Sequence, residues 1–423
     1  MVKQSPVSRV FATRFACSAA VGLSILAGAG PVHAADWPNW LGPERTGISP
    51  ETDWSGRWDD SGPRVAWKAE VGIGYSSIAV ADGRAYAMGN LDYQESIYCF
   101  DAVTGEVIWK HTYPGSLVNV LHDGGPTSTP TVHEGRVYTL GKEGQLRCLD
   151  AVSGQLIWSG DMKEAAGHKE PPKWGYSSSG VVHEGRIIFQ AGPMVALDLK
   201  TGEVVWKSRE RPVGYSTPAL FRFNGKWTLA AMNVWGLSIV DAATGREWAG
   251  MEWGTPWETD STTPIVNGDL IFISTGYAKG CALLRLNDSG LSVVYRKEKP
   301  GDSMSNNTNN SILHEGLLYG FDGEIDKPAR AELVCMDFET GAERWRAKGL
   351  GCGSLLVSDG KLLIVTDKGE LVTAEATGEG FRPISKAKVA EGKTWTMPTL
   401  AEGRVYIRTT QGRLVCLDLR AAS

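Results

Sequence analysis

Short apolar runs alternate with polar breaks along almost the whole chain, and the breaks follow a rule. An acidic or Asn residue followed by Gly, then usually a basic residue and an apolar pair, recurs eight times: Asp82-Gly83, Glu134-Gly135, Glu184-Gly185, Asn224-Gly225, Asn267-Gly268, Glu315-Gly316, Asp359-Gly360 and Glu402-Gly403. Successive glycines are 52, 50, 40, 43, 48, 44 and 43 residues apart. Such a step between alternating apolar runs predicts a tight hairpin, because Gly accepts the positive φ the turn demands.

A second pattern follows each of the clearest steps. It reads Cys99, Asp101, Thr104, Gly105, Trp109; then Cys148, Asp150, Ser153, Gly154, Trp158; then Ala196, Asp198, Thr201, Gly202, Trp206; and Cys335, Asp337, Thr340, Gly341, Trp345. Asp and Thr can bond the turn backbone, Gly takes the left-handed position, and Trp enters the next strand. The copies near Asp241, Asn287 and Ala374 are degraded. Each unit therefore predicts four short strands, a to d, with turns at a–b and c–d. Four-stranded units of 40 to 50 residues are propeller blades, so eight steps predict an all-β, eight-bladed β-propeller. The last unit lacks strand d, whereas Arg64 to Glu70 carries Trp67 ahead of the first blade. That N-terminal strand is expected to close the ring and cover an exposed edge.

Composition fits this reading. The chain has 423 residues, 51 Gly, 20 Pro and 16 Trp, with no Gly-X-Y period, which excludes collagen and calls for many turns. With 42% hydrophobic and 22% charged residues, a folded core is expected. The N-terminus places Lys3, Arg9 and Arg14 before an apolar stretch, Phe15 to Ala29, and then small residues to Ala35. This is the pattern of a secretory signal peptide, with cleavage after Ala34 or Ala35. The alternative, a membrane anchor, would need about 20 apolar residues. Losing residues 1–34 removes three basic and no acidic side chains and takes the net charge from −5 to −8. An acidic, exported chain has no electrostatic footprint for nucleic acid. The expected organisation is a signal peptide (1–34), an N-terminal extension (35–63) and the propeller (64–423), acting as a monomer in the periplasm or outside the cell.

The Asp-Ala-x-Thr-Gly-x-x-x-Trp copies resemble the tryptophan-docking repeat of the pyrroloquinoline quinone (PQQ) propeller superfamily, also called quinoprotein alcohol dehydrogenase-like. Trp37-Pro38-Asn39-Trp40-Leu41-Gly42-Pro43 with Gly47 also resembles the start of exported bacterial PQQ-like repeat proteins. The resemblance implies that Trp67, Trp109, Trp158, Trp206 and Trp345, with Gly105, Gly154, Gly202 and Gly341, dock blades together. The superfamily includes quinoprotein alcohol dehydrogenases and a non-enzymatic lipoprotein that helps assemble outer-membrane barrels. Fold alone does not choose between them.

Length variation falls in the d–a and b–c connections, which share one face of a propeller, so a site is expected at that mouth. The starts of the inner strands carry hydroxyls, amides and aromatics. Tyr75, Trp174, Tyr176, Tyr215, Trp257, Asn306, Asn307 and Trp395 are the candidate ligand-binding residues. The competing reading is that small polar residues merely satisfy the backbone where eight strands converge. Bound PQQ would need calcium held by oxygen ligands. Asp260, Asn306 and Asn307 are the candidate metal ligands, Asp260 the candidate base and Lys173 a candidate cation; many quinoprotein dehydrogenases carry an adjacent cysteine pair that this chain lacks. His122, Asp123 and His168 lie in long loops, and Asp322, Glu324 and Asp326 form an acidic loop. Cys99, Cys148, Cys335 and Cys416 hold one repeat position in different blades, too far apart to bridge, and with Cys281 and Cys352 are expected to stay reduced. Two functions follow. The first is a non-catalytic binding or scaffold module for a protein or cell-envelope glycan; the second is a small PQQ-dependent dehydrogenase oxidising an alcohol or sugar.

Overall fold

Each acidic-or-Asn–Gly step forms a tight hairpin turn. At the first, Asp82 and Gly83 both have positive φ, 51° and 69°, so the chain reverses between two strands without splaying them. The computed structural model describes residues 1–2, 35–120, 122–255, 257–299 and 301–421. The expected signal peptide, with Cys17, otherwise lies outside the described residues. No helix among the described residues is long and apolar enough to cross a membrane.

Eight antiparallel four-stranded blades repeat along the chain, one of them extended by a short parallel fifth strand. Blade 1 comprises Ala79–Ala81, Arg84–Leu91, Gln94–Asp101 and Val107–Pro114, strands a to d in order. Blades 2 to 7 span 131–161, 181–207, 219–252, 265–297, 312–347 and 354–388. Blade 8 takes Thr399–Ala401, Arg404–Arg408 and Arg413–Asp418 from the C-terminus and Arg64–Glu70 from the N-terminus as its outer strand. The register runs from Arg64 opposite Asp418 to Glu70 opposite Arg413, with one irregularity between Val65 and Trp67. The ring is thus closed by the N-terminal strand.

What joins blade to blade is a three-strand motif. Tyr406, Cys416 and Trp67 lie side by side on strands b, c and d of blade 8. The Tyr406 hydroxyl and the Trp67 indole N–H both donate to the Ala102 carbonyl of blade 1, each at 3.1 Å. Tyr86, Cys99 and Trp109 repeat this toward Ala151, and Tyr138, Cys148 and Trp158 toward Leu199. Every such Trp lies against the next blade's turn glycine: a Cβ on Gly105 would stand 2.5 Å from the Trp67 ring, and one on Gly154 2.6 Å from Trp109. Trp158 meets Gly202 and Trp206 meets Gly245 in the same way. Trp345 donates to Thr377, whereas Gly341 receives Tyr295 of blade 5 in place of a Trp. The small Cys leaves room for two large rings in adjacent strands. All six cysteines of the described residues are buried and unpaired, as expected for the four at the repeat position and for Cys281 and Cys352.

Residues 36–63 are threaded into the ring rather than draped outside it. Trp37 exchanges two backbone hydrogen bonds with Val80 of blade 1, 2.8 and 2.9 Å, and is 1% exposed. The Pro38 carbonyl accepts from Val132 of blade 2, and the Trp40 indole donates to Thr263 of blade 5. Ile48–Ser49 pairs in parallel with the innermost strand of blade 7, Ser354–Ser358. Contacts with inner strands on opposite sides of the ring place this segment in the central channel, toward the a–b turns. Gly47 (φ 76°) passes where a Cβ would stand 2.0 Å from Ile312 of blade 6. The chain then crosses blade 7, where Trp54 bonds Ser358 and Gly56 accepts from Thr373, to reach the outer strand of blade 8.

Candidate functional site

With one end of the channel filled, the mouth on the d–a and b–c face is where a ligand can enter. Its small polar residues are engaged with one another. Ser77 N–H donates to Thr129, Thr129 N–H to Ser179, and Ser179 N–H to Thr217, at 3.2, 2.9 and 2.9 Å. Tyr215 N–H reaches the Asp260 carbonyl at 2.9 Å, Thr263 N–H reaches Asn310, and the Asn309 amide reaches Gly353. Ser354 donates to Thr396, and Ser77 closes the circle on Met397. This belt links each blade to the next where eight strands converge. Its hydroxyls and amides satisfy buried backbone groups.

Above the belt lies a continuous arc of rings. Trp395 stacks on Tyr75 at 5.8 Å and 25°, Tyr75 meets His122 edge-on at 5.4 Å, and His122 stacks on Trp174 at 5.6 Å and 21°. All four are half-buried. The ammonium groups of Lys393 and Lys173 stand over Trp395 and Trp174 at 4.2 and 5.3 Å, and Lys173 also pairs with Glu258. Beside Trp395 opens a hollow of about 380 Å³, walled by Ile325, Pro328, Asp367, Lys368, Lys388 and Lys393. Trp257, 60% exposed, leans on Tyr277 at 6.0 Å.

Two buried cations sit beneath this arc. Arg408 is 1% exposed and donates to the carbonyls of Met88, Ser76 and Gly72 at 2.6, 3.2 and 3.0 Å, tying blade 8 to blade 1. Lys142, also 1% exposed, has its stem against Gly175, where a Cβ would stand 2.7 Å from it. Burial lowers the Lys142 pKa and raises that of its acidic neighbour, Glu95, which accepts from Tyr113 and from the Lys142 amide. Burial, reinforced by Lys142, pushes His122 down to about 4, so its ring is neutral at neutral pH. Its Nδ1 accepts from Gly124, which fixes the ring in the arc.

The sequence candidates separate in three dimensions. Tyr75, Trp174 and Trp395 come together, and Trp257 stands exposed nearby in chain terms, three residues before Asp260 of the belt. Tyr176 is not brought to the arc: it is 1% exposed, bonded to His168 at 2.8 Å and packed in the core of blades 2 and 3. Tyr215 is 9% exposed and belongs to the belt. His122, Lys142 and Arg408 were not legible as partners of this arc. The acidic loop is spent internally, Asp322 on Arg346 and Glu324 on Lys327.

The oxygen donors proposed for calcium can be tested against their surroundings. Asp260 is 0% exposed; Thr275 donates to its Oδ1 at 3.1 Å, and its Oδ2 has no partner among the described residues. Burial pushes its carboxyl up to about 7, offset in part by Thr275, the Thr255 amide and Lys279. Asn307 Oδ1 is likewise unpartnered. Asn306 is committed, its amide donating to Phe321 and its carbonyl accepting from Ser311. One carboxylate oxygen and one amide oxygen fall short of the six to eight oxygens calcium takes. No group of three or more His, Cys, Asp or Glu residues suited to a metal ion occurs among the described residues. Asp260 and Asn307 alone therefore do not complete a calcium site among the described residues.

Solved structures share the architecture. BamB from Moraxella catarrhalis superposes with a TM-score of 0.61 at 14% identity, over 84% of this chain and 99% of that one. Quinohemoprotein alcohol dehydrogenase from Comamonas testosteroni gives 0.66 at 13% identity, over 92% and 81%. A europium-containing methanol dehydrogenase gives 0.64 at 12% identity, over 88% and 89%. These likenesses establish the PQQ-like propeller fold. No curated protein matches the chain. A family model matches residues 57–290, more than half the sequence, and by that match the chain belongs to the family described as outer membrane protein assembly factor BamB.

Proposed function

We propose that this protein is an exported, monomeric binding module of the bacterial cell envelope, periplasmic or extracellular, that takes a protein segment or an envelope glycan at its loop-rich mouth without catalysis of its own. The observation that carries this reading is the arc Trp395–Tyr75–His122–Trp174, two stacked pairs meeting edge-on and held half-open to solvent over a channel filled from the other side. Such rings offer flat faces to a sugar or to an apolar side chain, and aromatic anchors dominate binding energy at interfaces. The family description supports an envelope role for the reading.

One observation favours a second reading, a small PQQ-dependent dehydrogenase oxidising an alcohol or sugar. Asp260 has a carboxyl pushed up to about 7 and an oxygen with no partner among the described residues, which suits a general base. Titration of the purified protein separates the two. Soluble envelope glycan fragments and detergent-solubilised outer-membrane proteins are each added while tryptophan fluorescence is followed. A saturable change lost in Trp395→Ala and Trp174→Ala supports the binding module, and the responding titrant names its class. A bound quinone absorbance with dye reduction by alcohols, after adding PQQ and calcium chloride, replaces it with the enzyme.

A further inference from the structure

Among the described residues, no cation pairs with the buried carboxylate of Glu51. It is 4% exposed, and the charged neighbour it feels is another acid, Glu402. Three backbone N–H groups converge on it: Glu402 on Oε1, Gly403 on Oε2 at 2.7 Å, and Ala35 on Oε1 at 3.1 Å. Burial raises its pKa against the pull of these donors. A carboxylate so placed is costly unless a positive charge joins it. The Ala35 nitrogen already lies at hydrogen-bond distance, and it is the atom that changes charge if the chain is cut where the expected leader ends.

We infer that Glu51 is the receptor for the α-ammonium group freed by hydrolysis of the Ala34–Ala35 bond, so that leader removal completes an ion pair which locks the channel-filling segment in the ring. Water adds its oxygen to the Ala34 carbonyl carbon as the C–N bond breaks, and both of its protons end on the Ala35 nitrogen, the second released when the new Ala34 carboxyl ionises; a leader peptidase of the exporting cell is the catalyst. The amide N–H, a single neutral donor, becomes a charged group with three donors at the same place. Of the two cleavage positions compatible with the sequence, this selects the one before Ala35, because cutting after Ala35 would remove the bonded nitrogen. The inference rests on the export reading and is independent of what the mouth binds.

The test begins with the protein exported by a bacterial host, whose first residue is read by intact mass. A chain retaining its leader overturns the inference through the export reading, whereas a cleaved chain beginning anywhere but Ala35 overturns the inference and leaves the export reading standing. Chains verified to begin at Ala35 are then compared with chains carrying Gly-Ser before it, in wild-type and Glu51→Gln backgrounds. The Ala35 chain is expected to melt higher than the extended one, with the difference lost in Glu51→Gln. Acetylation of its α-amine at pH 7.5, read by peptide mass spectrometry, is expected to be about tenfold slower than in Glu51→Gln, as a rise of about one pKa unit implies. Equal melting of the two wild-type chains, with labelling as fast as in Glu51→Gln, overturns the inference through Glu51 itself. Because the extension leaves Glu51 in place, the melting comparison survives a failure of Glu51→Gln to fold.

Discussion

The unpartnered oxygen of Asp260 makes this residue a source of instability as well as a candidate base. Its carboxyl is pushed from 3.8 to about 7 by burial, so between those values the folded chain holds a proton that the unfolded chain has released. Stability contributed by the neutral carboxyl is present below pH 4 and is lost as pH rises toward 7. Asp260→Asn keeps the shape and removes the titration. It should melt close to wild type at pH 4 and higher at pH 8, by the equivalent of about 2–4 kcal/mol. Thermal melts at the two pH values decide it, and a variant less stable at pH 8 would show that the ionised carboxylate has a partner. At this scale Trp174, Trp257 and Trp395 are the tryptophans that the sequence places among the candidate binding residues, and Trp174 and Trp395 join one arc. His122, named only as a long-loop residue, and Lys142 could not be tied to the arc from the sequence because their neighbours come from loops of different blades. A lone His or Lys has no periodicity to betray it.

Between neighbouring blades the unit of cohesion is Tyr on strand b, Cys on strand c and Trp on strand d, with the next blade's turn carbonyl and glycine as its seat. Trp158→Ala removes a ring that is 9% exposed, together with its bond to Leu199, and should cost about 3–5 kcal/mol. Gly154→Ala attacks the same kind of seat from the other side. It places a side chain at φ 71° and 2.6 Å from the Trp109 ring, so it should destabilise by more than the roughly 1 kcal/mol of backbone strain alone. Denaturant unfolding of both variants measures these costs, and a loss under 1 kcal/mol in either would mean the docking contact is dispensable. The Trp and Gly were legible from their fixed spacing, and the direction of docking was not. The sequence places each Trp four residues after its own glycine, whereas the contact is with the glycine of the following blade. The Tyr was also within reach, since Tyr86, Tyr138, Tyr319 and Tyr406 each stand three residues after a turn glycine.

For the molecule as a whole, the N-terminal stretch does two separable things. Arg64–Glu70 pairs with Arg413–Asp418 and closes the ring, and residues 37–49 fill the channel. Deleting 36–70 leaves the strand Arg413–Asp418 as an open edge and should give aggregated or open protein by size-exclusion chromatography. Deleting 36–49 alone should leave a closed, monomeric ring with a lower melting temperature, because Trp37 and Leu41 are lost from the core. A soluble, normally melting chain without 36–70 would refute closure. The repeat fixed the number of blades, their strand order and the split last blade, because turns and alternating apolar runs are local and depend on residues a few positions apart. Only the tertiary structure decided that the extension enters the channel, that the polar belt is consumed in joining blades, and that four rings from three blades and a long loop form one arc. Those outcomes depend on which inner strands converge on one axis, a contact set with no fixed separation along the chain.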